Sequence, residues 1–246
     1  MGIVPIYPDN GLVRPTSGTI RKPVLVLEAS GEPAGAVVAA LLAAGHPVIA
    51  ASADGASPRL VVAGGPELVR LAGHTRTETA GAALANAVRL LRRPPGAVVA
   101  MVGGALRRGR LLDHPAERLR GLLDDELFPH VVAARHLVPL LVGSGAPTHY
   151  VVVGGPAAET PWSGYGQASV ASAALRMFSR ALREETLQTA VRVQQLSVCA
   201  PLRTREQGEH ACPDWPEPAE LGQQVVNLLA TPGYEAVVRF DRRRPA

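Results

Sequence analysis

The feature that most constrains this chain is a series of short apolar runs without polar alternation, each separated from the next by an Ala-rich helical block. PVLVLEAS begins at Pro23, PVIAAS at Pro47, GAVVAMV at Gly96 and YVVV at Tyr150. A strand that is apolar on successive residues has both faces buried, which is the condition of a parallel sheet covered by helices on each side. The blocks between the runs read as helices over residues 34–44, 80–91, 123–142, 166–185 and 218–230. Further strands are expected near 68–71 and over 191–198 and 235–240. Strand, helix and strand within about 30 residues make a βαβ unit, and its recurrence predicts an α/β, doubly wound parallel sheet. The order of elements between 52 and 80 is the least defined part of that reading. No repeat, linker or low-complexity segment divides the chain, so residues 22–246 are expected to form one domain. Residues 1–21, rich in Pro, Gly and polar groups, are expected to form an N-terminal arm.

With 246 residues and 47% hydrophobic composition, the chain can bury a core without disulfides or metal. Two cysteines, Cys199 and Cys212, make no disulfide framework and fit a reducing, cytoplasmic setting. No apolar run reaches the length of a membrane span, and the N-terminus lacks the apolar centre of a signal peptide. Net charge is +4, with the basic residues scattered and no nucleic-acid motif, so neither a nucleic acid nor a membrane is an expected partner. His130 and His136 stand six apart on one helix, a spacing that does not bring two ligands to one face, so no metal site is expected.

Over residues 23–240 the order of blocks resembles the short-chain dehydrogenase/reductase family. VLV (24–26), sixteen residues and AAGH (43–46) match its first strand, glycine loop and helix. GAVVAMVGGALRRG (96–109) lies where the family ends a strand in Asn-Asn-Ala-Gly. LLDDELFPHVVAARHLVPLL (122–141) resembles its long central helix, HYVVVGGPAA (149–158) the strand before its catalytic serine, and YGQASVASAALRMFSRALREE (165–185) its Tyr-x-x-x-Lys helix. VRVQQLSVCAPLRT (191–204) resembles the strand that leads to its Pro-Gly turn. The resemblance implies a Rossmann-like fold.

The residues that carry the family's chemistry have largely changed. Its nucleotide loop, Thr-Gly-x-x-x-Gly-x-Gly, corresponds to Leu27, Glu28, Glu32 and Ala34. Two carboxylates then stand where a diphosphate would approach bare backbone at a helix N-terminus. By the resemblance, Tyr165 is the one retained catalytic residue, and Ser169, Gly155 and Glu126 occupy the lysine, serine and asparagine positions. The chain's only lysine, Lys22, precedes the first strand, at the wrong end of the sheet to reach Tyr165. Arg176 and Arg180 lie two or more turns along the tyrosine's helix.

These substitutions predict loss of NAD(P) binding, no cofactor and no hydride transfer. The expected role is that of a non-catalytic subunit paired with an active paralogue, or with itself, through the helices near 123–142 and 165–187. One alternative is a cofactor-independent enzyme performing a cyclisation, dehydration or isomerisation in the vacated cleft, with Tyr165 or Glu126 as proton carrier. A second is a divergent NAD(P)H-dependent ketoreductase, which requires the loop to bind a nucleotide despite its glutamates.

Overall fold

A computed structural model describes residues 21–53, 55, 67–103, 107–155, 157–231, 233 and 235–241. The expected N-terminal arm lies outside these residues, except for Arg21. Seven parallel strands form one sheet in the order β3-β2-β1-β4-β5-β6-β7. They are β1 (Val24–Leu27), β2 (Val48–Ser52), β3 (Leu68–Ala72), β4 (Ala97–Ala100), β5 (Thr148–Gly154), β6 (Val191–Val198) and β7 (Val237–Phe240). The helices are α1 (Gly31–Ala43), α2 (Glu78–Leu90), α3 (Ala116–Glu126), α4 (Phe128–Val142), α5 (Gly166–Thr186) and α6 (Pro218–Ala230). This is the doubly wound α/β fold that the apolar runs require.

The central strands β1 and β4 are buried at every residue, so alternate side chains feed two cores. Leu25, Leu27, Val98 and Ala100 face α2, α4 and α5. Val24, Val26, Ala97 and Val99 face α1 and α6. The α1–α6 contact is close because Gly222 has no side chain: a Cβ there would stand 2.6 Å from the Ala36 carbonyl oxygen and 2.9 Å from the Ala40 Cβ.

Two helices differ from the sequence reading. The first begins at Gly31 rather than 34, because Gly31 takes φ +79° at the strand–helix turn and lets the helix start at once. The long helix expected over 123–142 is two helices. It begins at Ala116 and breaks at Leu127 (φ −113°, ψ −52°). Pro129 supplies the reason: it has no N–H to donate to the Asp125 carbonyl four residues back, so the hydrogen-bond ladder of one continuous helix is interrupted here. Among the described residues no helix is long and apolar enough to cross a membrane.

Candidate functional site

Parallel sheets present their sites at the carboxyl ends of their strands. Here the ends of β4, β5 and β6, with α3, α5 and α6, line a half-open cavity of about 220 Å³. Met101, Val102, Val153, Leu175, Leu202 and Leu221 give it an apolar wall. Its side chains with polar ends are Arg107, Glu126 and Ser172. Lys22 stands at the other end of the sheet, packed beside Gly96 before β4 begins.

Glu126, the last residue of α3, brings its carboxylate to the cavity. Gly103 (φ +137°) makes room for it, since a Cβ at Gly103 would lie 2.6 Å from Glu126 Oε2. Gly155 also lines the cavity and contributes no side chain. Behind it, the side chain of Gln195 fills the space a Cβ on Gly154 would take. Of the helix that resembles Tyr-x-x-x-Lys, the residues that line the cavity are Ala168, Ala171, Ser172 and Leu175, the i, i+3, i+4, i+7 stripe of one helix face. The cavity-facing pairs four apart are therefore Ala168 with Ser172 and Ala171 with Leu175.

Tyr165 and Ser169 stand elsewhere. Tyr165 is the residue before the first turn of α5 (φ −128°, ψ 32°) and is not part of the cavity wall. Its hydroxyl accepts a hydrogen bond from Arg108 Nε at 3.0 Å, and the Arg108 guanidinium carbon lies 5.8 Å from the ring centroid. That hydrogen bond to Tyr165 pushes the Arg108 pKa up from its ordinary value. The Tyr165 ring meets Trp162 edge-on, with centroids 6.1 Å apart and an interplanar angle of 84°. Ser169 is buried and works locally: its Oγ donates to the Tyr165 carbonyl at 2.9 Å and accepts from the Trp162 N–H at 3.2 Å. Arg108 was not foreseen as a neighbour of Tyr165. Only a pair of arginines just after the β4 run hinted at it.

Arg176 is buried and belongs to another cluster, where it pairs with Glu159 and donates to Ser197 Oγ at 2.8 Å, while Arg239 also pairs with Glu159. Those two arginines hold the Glu159 carboxyl below the usual carboxylate range. His130 is fully buried, with Nε2 2.8 Å from the Val102 carbonyl, which ties α4 to the segment after β4. Burial drives its pKa down to about 4. His136 lies apart from it, against Glu78 on α2. Among the described residues no three His, Cys, Asp or Glu converge as metal ligands.

The turn between β1 and α1 is where this kind of fold receives a diphosphate, on bare N–H groups at a helix N-terminus. Here Glu28 adopts φ +51° and leaves a buried Oε1 with no hydrogen-bond partner. Ser30 makes no side-chain cap. Glu32 occupies the first turn and accepts the backbone N–H of Arg205 at 2.9 Å, with the Arg205 Nε 3.9 Å away. Pro33 follows and offers no N–H. A diphosphate would meet two carboxylates and a segment already bound across the helix end. Like charges about 4 Å apart repel by about 1 kcal/mol in water and about 4 kcal/mol at a partly buried site. The residues present do not fit a nicotinamide dinucleotide. Ser52, at the end of β2, is buried and offers no acidic group for a ribose.

No family model matches this sequence, and no curated protein is similar to it in sequence. Solved structures are similar in fold. A short-chain type dehydrogenase/reductase from Mycobacterium ulcerans superposes with a TM-score of 0.77 at 18% identity, over 90% of this chain and 88% of that one. A short chain dehydrogenase from Burkholderia cenocepacia, solved in complex with NADP, gives 0.76 at 19%, over 89% and 87%. A short chain oxidoreductase from Pseudomonas aeruginosa, described as containing an atypical catalytic center, gives 0.76 at 18%, over 90% and 96%. At these identities the likeness is one of architecture, and by architecture this chain has the short-chain dehydrogenase fold.

Proposed function

We propose that this chain is a non-catalytic subunit with the short-chain dehydrogenase fold, without nicotinamide binding or hydride transfer of its own. The observation that carries the reading is the Glu32 carboxylate bound to the Arg205 N–H at the start of α1. A protein group thereby fills the place of the cofactor's diphosphate. The α5 face of the cavity agrees with this reading, because it presents Ala168, Ala171, Ser172 and Leu175 rather than a tyrosine and a lysine.

The role that remains is assembly. Phe128 and Val131 on α4 are exposed, as are Val170 and Met177 on α5. Spacings of three and seven residues make each set a stripe along its helix. Exposed apolar stripes on neighbouring elements suit a helix-on-helix subunit contact. The partner proposed is an active dehydrogenase/reductase paralogue of the same fold, or a second copy of this chain.

Calorimetric titration with NADPH and NADH tests the reading directly. The expected result is no binding up to millimolar nucleotide. Micromolar binding of either would overturn it and restore a divergent ketoreductase as the leading function.

A further inference from the structure

We infer that the cavity at the ends of β4, β5 and β6 binds a small apolar acid: a bicyclic ring or short acyl body bearing one anionic group. The inference rests on the reading that no dinucleotide occupies this end of the sheet. It adds what the space is shaped to hold.

Size comes first. An apolar protein cavity of about 150 Å³ stays dry and takes up benzene. At about 220 Å³, this one has room for two fused rings or a chain of about eight carbons. Its wall is built from both layers of the fold: Ala171 and Leu175 come from α5 on one face of the sheet, and Pro33 and Leu221 from α1 and α6 on the other. All four are held by the packing of those helices, so the space is preformed.

Glu126, which lines the cavity, is engaged in an interaction within the protein. Arg107 also lines the cavity, is exposed, and makes no hydrogen bond or ion pair among the described residues. Its neighbours differ. Arg108 is held by Tyr165, and Arg110 lies 3.7 Å from Asp113. Among the described residues the guanidinium of Arg107 is therefore without a partner, and it stands at the cavity. A guanidinium at the edge of an apolar space selects a ligand whose body is apolar and whose head is a carboxylate, sulfonate or similar anion.

Two fluorescent probes of the stated size test this: naphthalene-2-sulfonate, which is anionic, and 2-naphthol, its neutral relative. Both are titrated into the full chain, with cooperative thermal unfolding monitored to show that it stays folded. The expected result is saturable one-to-one binding of both, tighter for the sulfonate. Ala171→Phe fills the cavity and should weaken both probes at least tenfold. Ser172→Phe, at a half-buried position, does the same work if Ala171→Phe fails to fold. Arg107→Gln should weaken the sulfonate about fivefold or more and the neutral probe less than twofold. Absence of saturable binding, binding that survives both filling variants, or an equal effect of Arg107→Gln on the two probes would each overturn the inference. NADPH is titrated in parallel. If NADPH binds and displaces the probe, the non-catalytic reading fails while the cavity site stands. If neither binds, the site fails while that reading stands.

Discussion

The Glu32 carboxylate accepts the backbone N–H of Arg205 at 2.9 Å, joining the first turn of α1 to the segment that follows β6, 173 residues later in the chain. The bond gives α1 an anion at its positive end, so the helix needs none from solution. Removing both the anion and its neighbour should reopen the end. Glu28→Gly combined with Glu32→Gly is expected to give weak, millimolar-range NADPH binding by calorimetry, where the parent chain is expected to give none. No gain in the double variant, with the fold intact, would mean that the glutamates are not what excludes the nucleotide.

Glu28 alone makes a separate prediction about stability. A left-handed backbone costs a side-chain-bearing residue about 1–2 kcal/mol relative to glycine, and Glu28 sits at φ +51° with one carboxylate oxygen buried and unpartnered. Glycine loses more chain entropy on folding, about 0.5–1 kcal/mol. The balance favours glycine, so Glu28→Gly should raise the unfolding free energy by about 1 kcal/mol, read as a higher urea midpoint at unchanged slope.

Tyr165 offers a test that separates the readings of function. Its hydroxyl is engaged by Arg108 and its ring by Trp162, outside the cavity wall. Tyr165→Phe should therefore leave the fold, probe binding in the cavity and any turnover of a complex containing this chain unchanged within twofold. Abolished turnover would place the tyrosine in the chemistry and favour a cofactor-independent enzyme.

The fold was legible in the sequence because strands buried on both faces cannot hide: Val24–Leu27 and Ala97–Ala100 are apolar at every position and buried at every position. The break at Leu127 was less visible, since proline is common in the first turn of a helix and Pro129 was compatible with one helix or two. The start of α3 was missed because that helix is mostly polar and buries only Leu122. Of the four positions that the resemblance assigns to catalysis, Glu126 and Gly155 line the cavity and Tyr165 and Ser169 do not. The phase of α5 was set by its one nearby tyrosine. Burial sets it differently, through Ala168, Ala171 and Leu175. Arg108 reaches Tyr165 from 57 residues away, and no periodicity encodes a contact between two loops.

The α1–α6 contact predicts a sharp cost for one added methyl. A Cβ on Gly222 would stand 2.6 Å from the Ala36 carbonyl oxygen and 2.9 Å from the Ala40 Cβ, both on α1, so relief requires the two helices to separate. Overpacking of this kind costs about 1–3 kcal/mol. Gly222→Ala should lower the urea midpoint accordingly, while Gly121→Ala, where a Cβ meets nothing within 4 Å, should be neutral or slightly stabilising through helix propensity.

Acid should unfold the protein through His130 before it touches most carboxylates. The imidazole is fully buried and neutral, with Nε2–H donating to the Val102 carbonyl, and burial holds its pKa at about 4 against an ordinary 6.5. The unfolded chain therefore binds a proton that the folded chain refuses between these two values. Stability from this site is complete above about pH 6.5 and is lost progressively as pH falls through 4, by roughly 3 kcal/mol in all. Glu159, held low by Arg176 and Arg239, loses its contribution at lower pH, as its carboxyl is protonated. The measurement is the unfolding free energy from urea melts at pH 7.5, 6, 5 and 4.5. His130→Gln, which keeps a donor and cannot be protonated, should flatten the profile between pH 6.5 and 4.5. An unchanged slope in that variant would assign the acid sensitivity to another group.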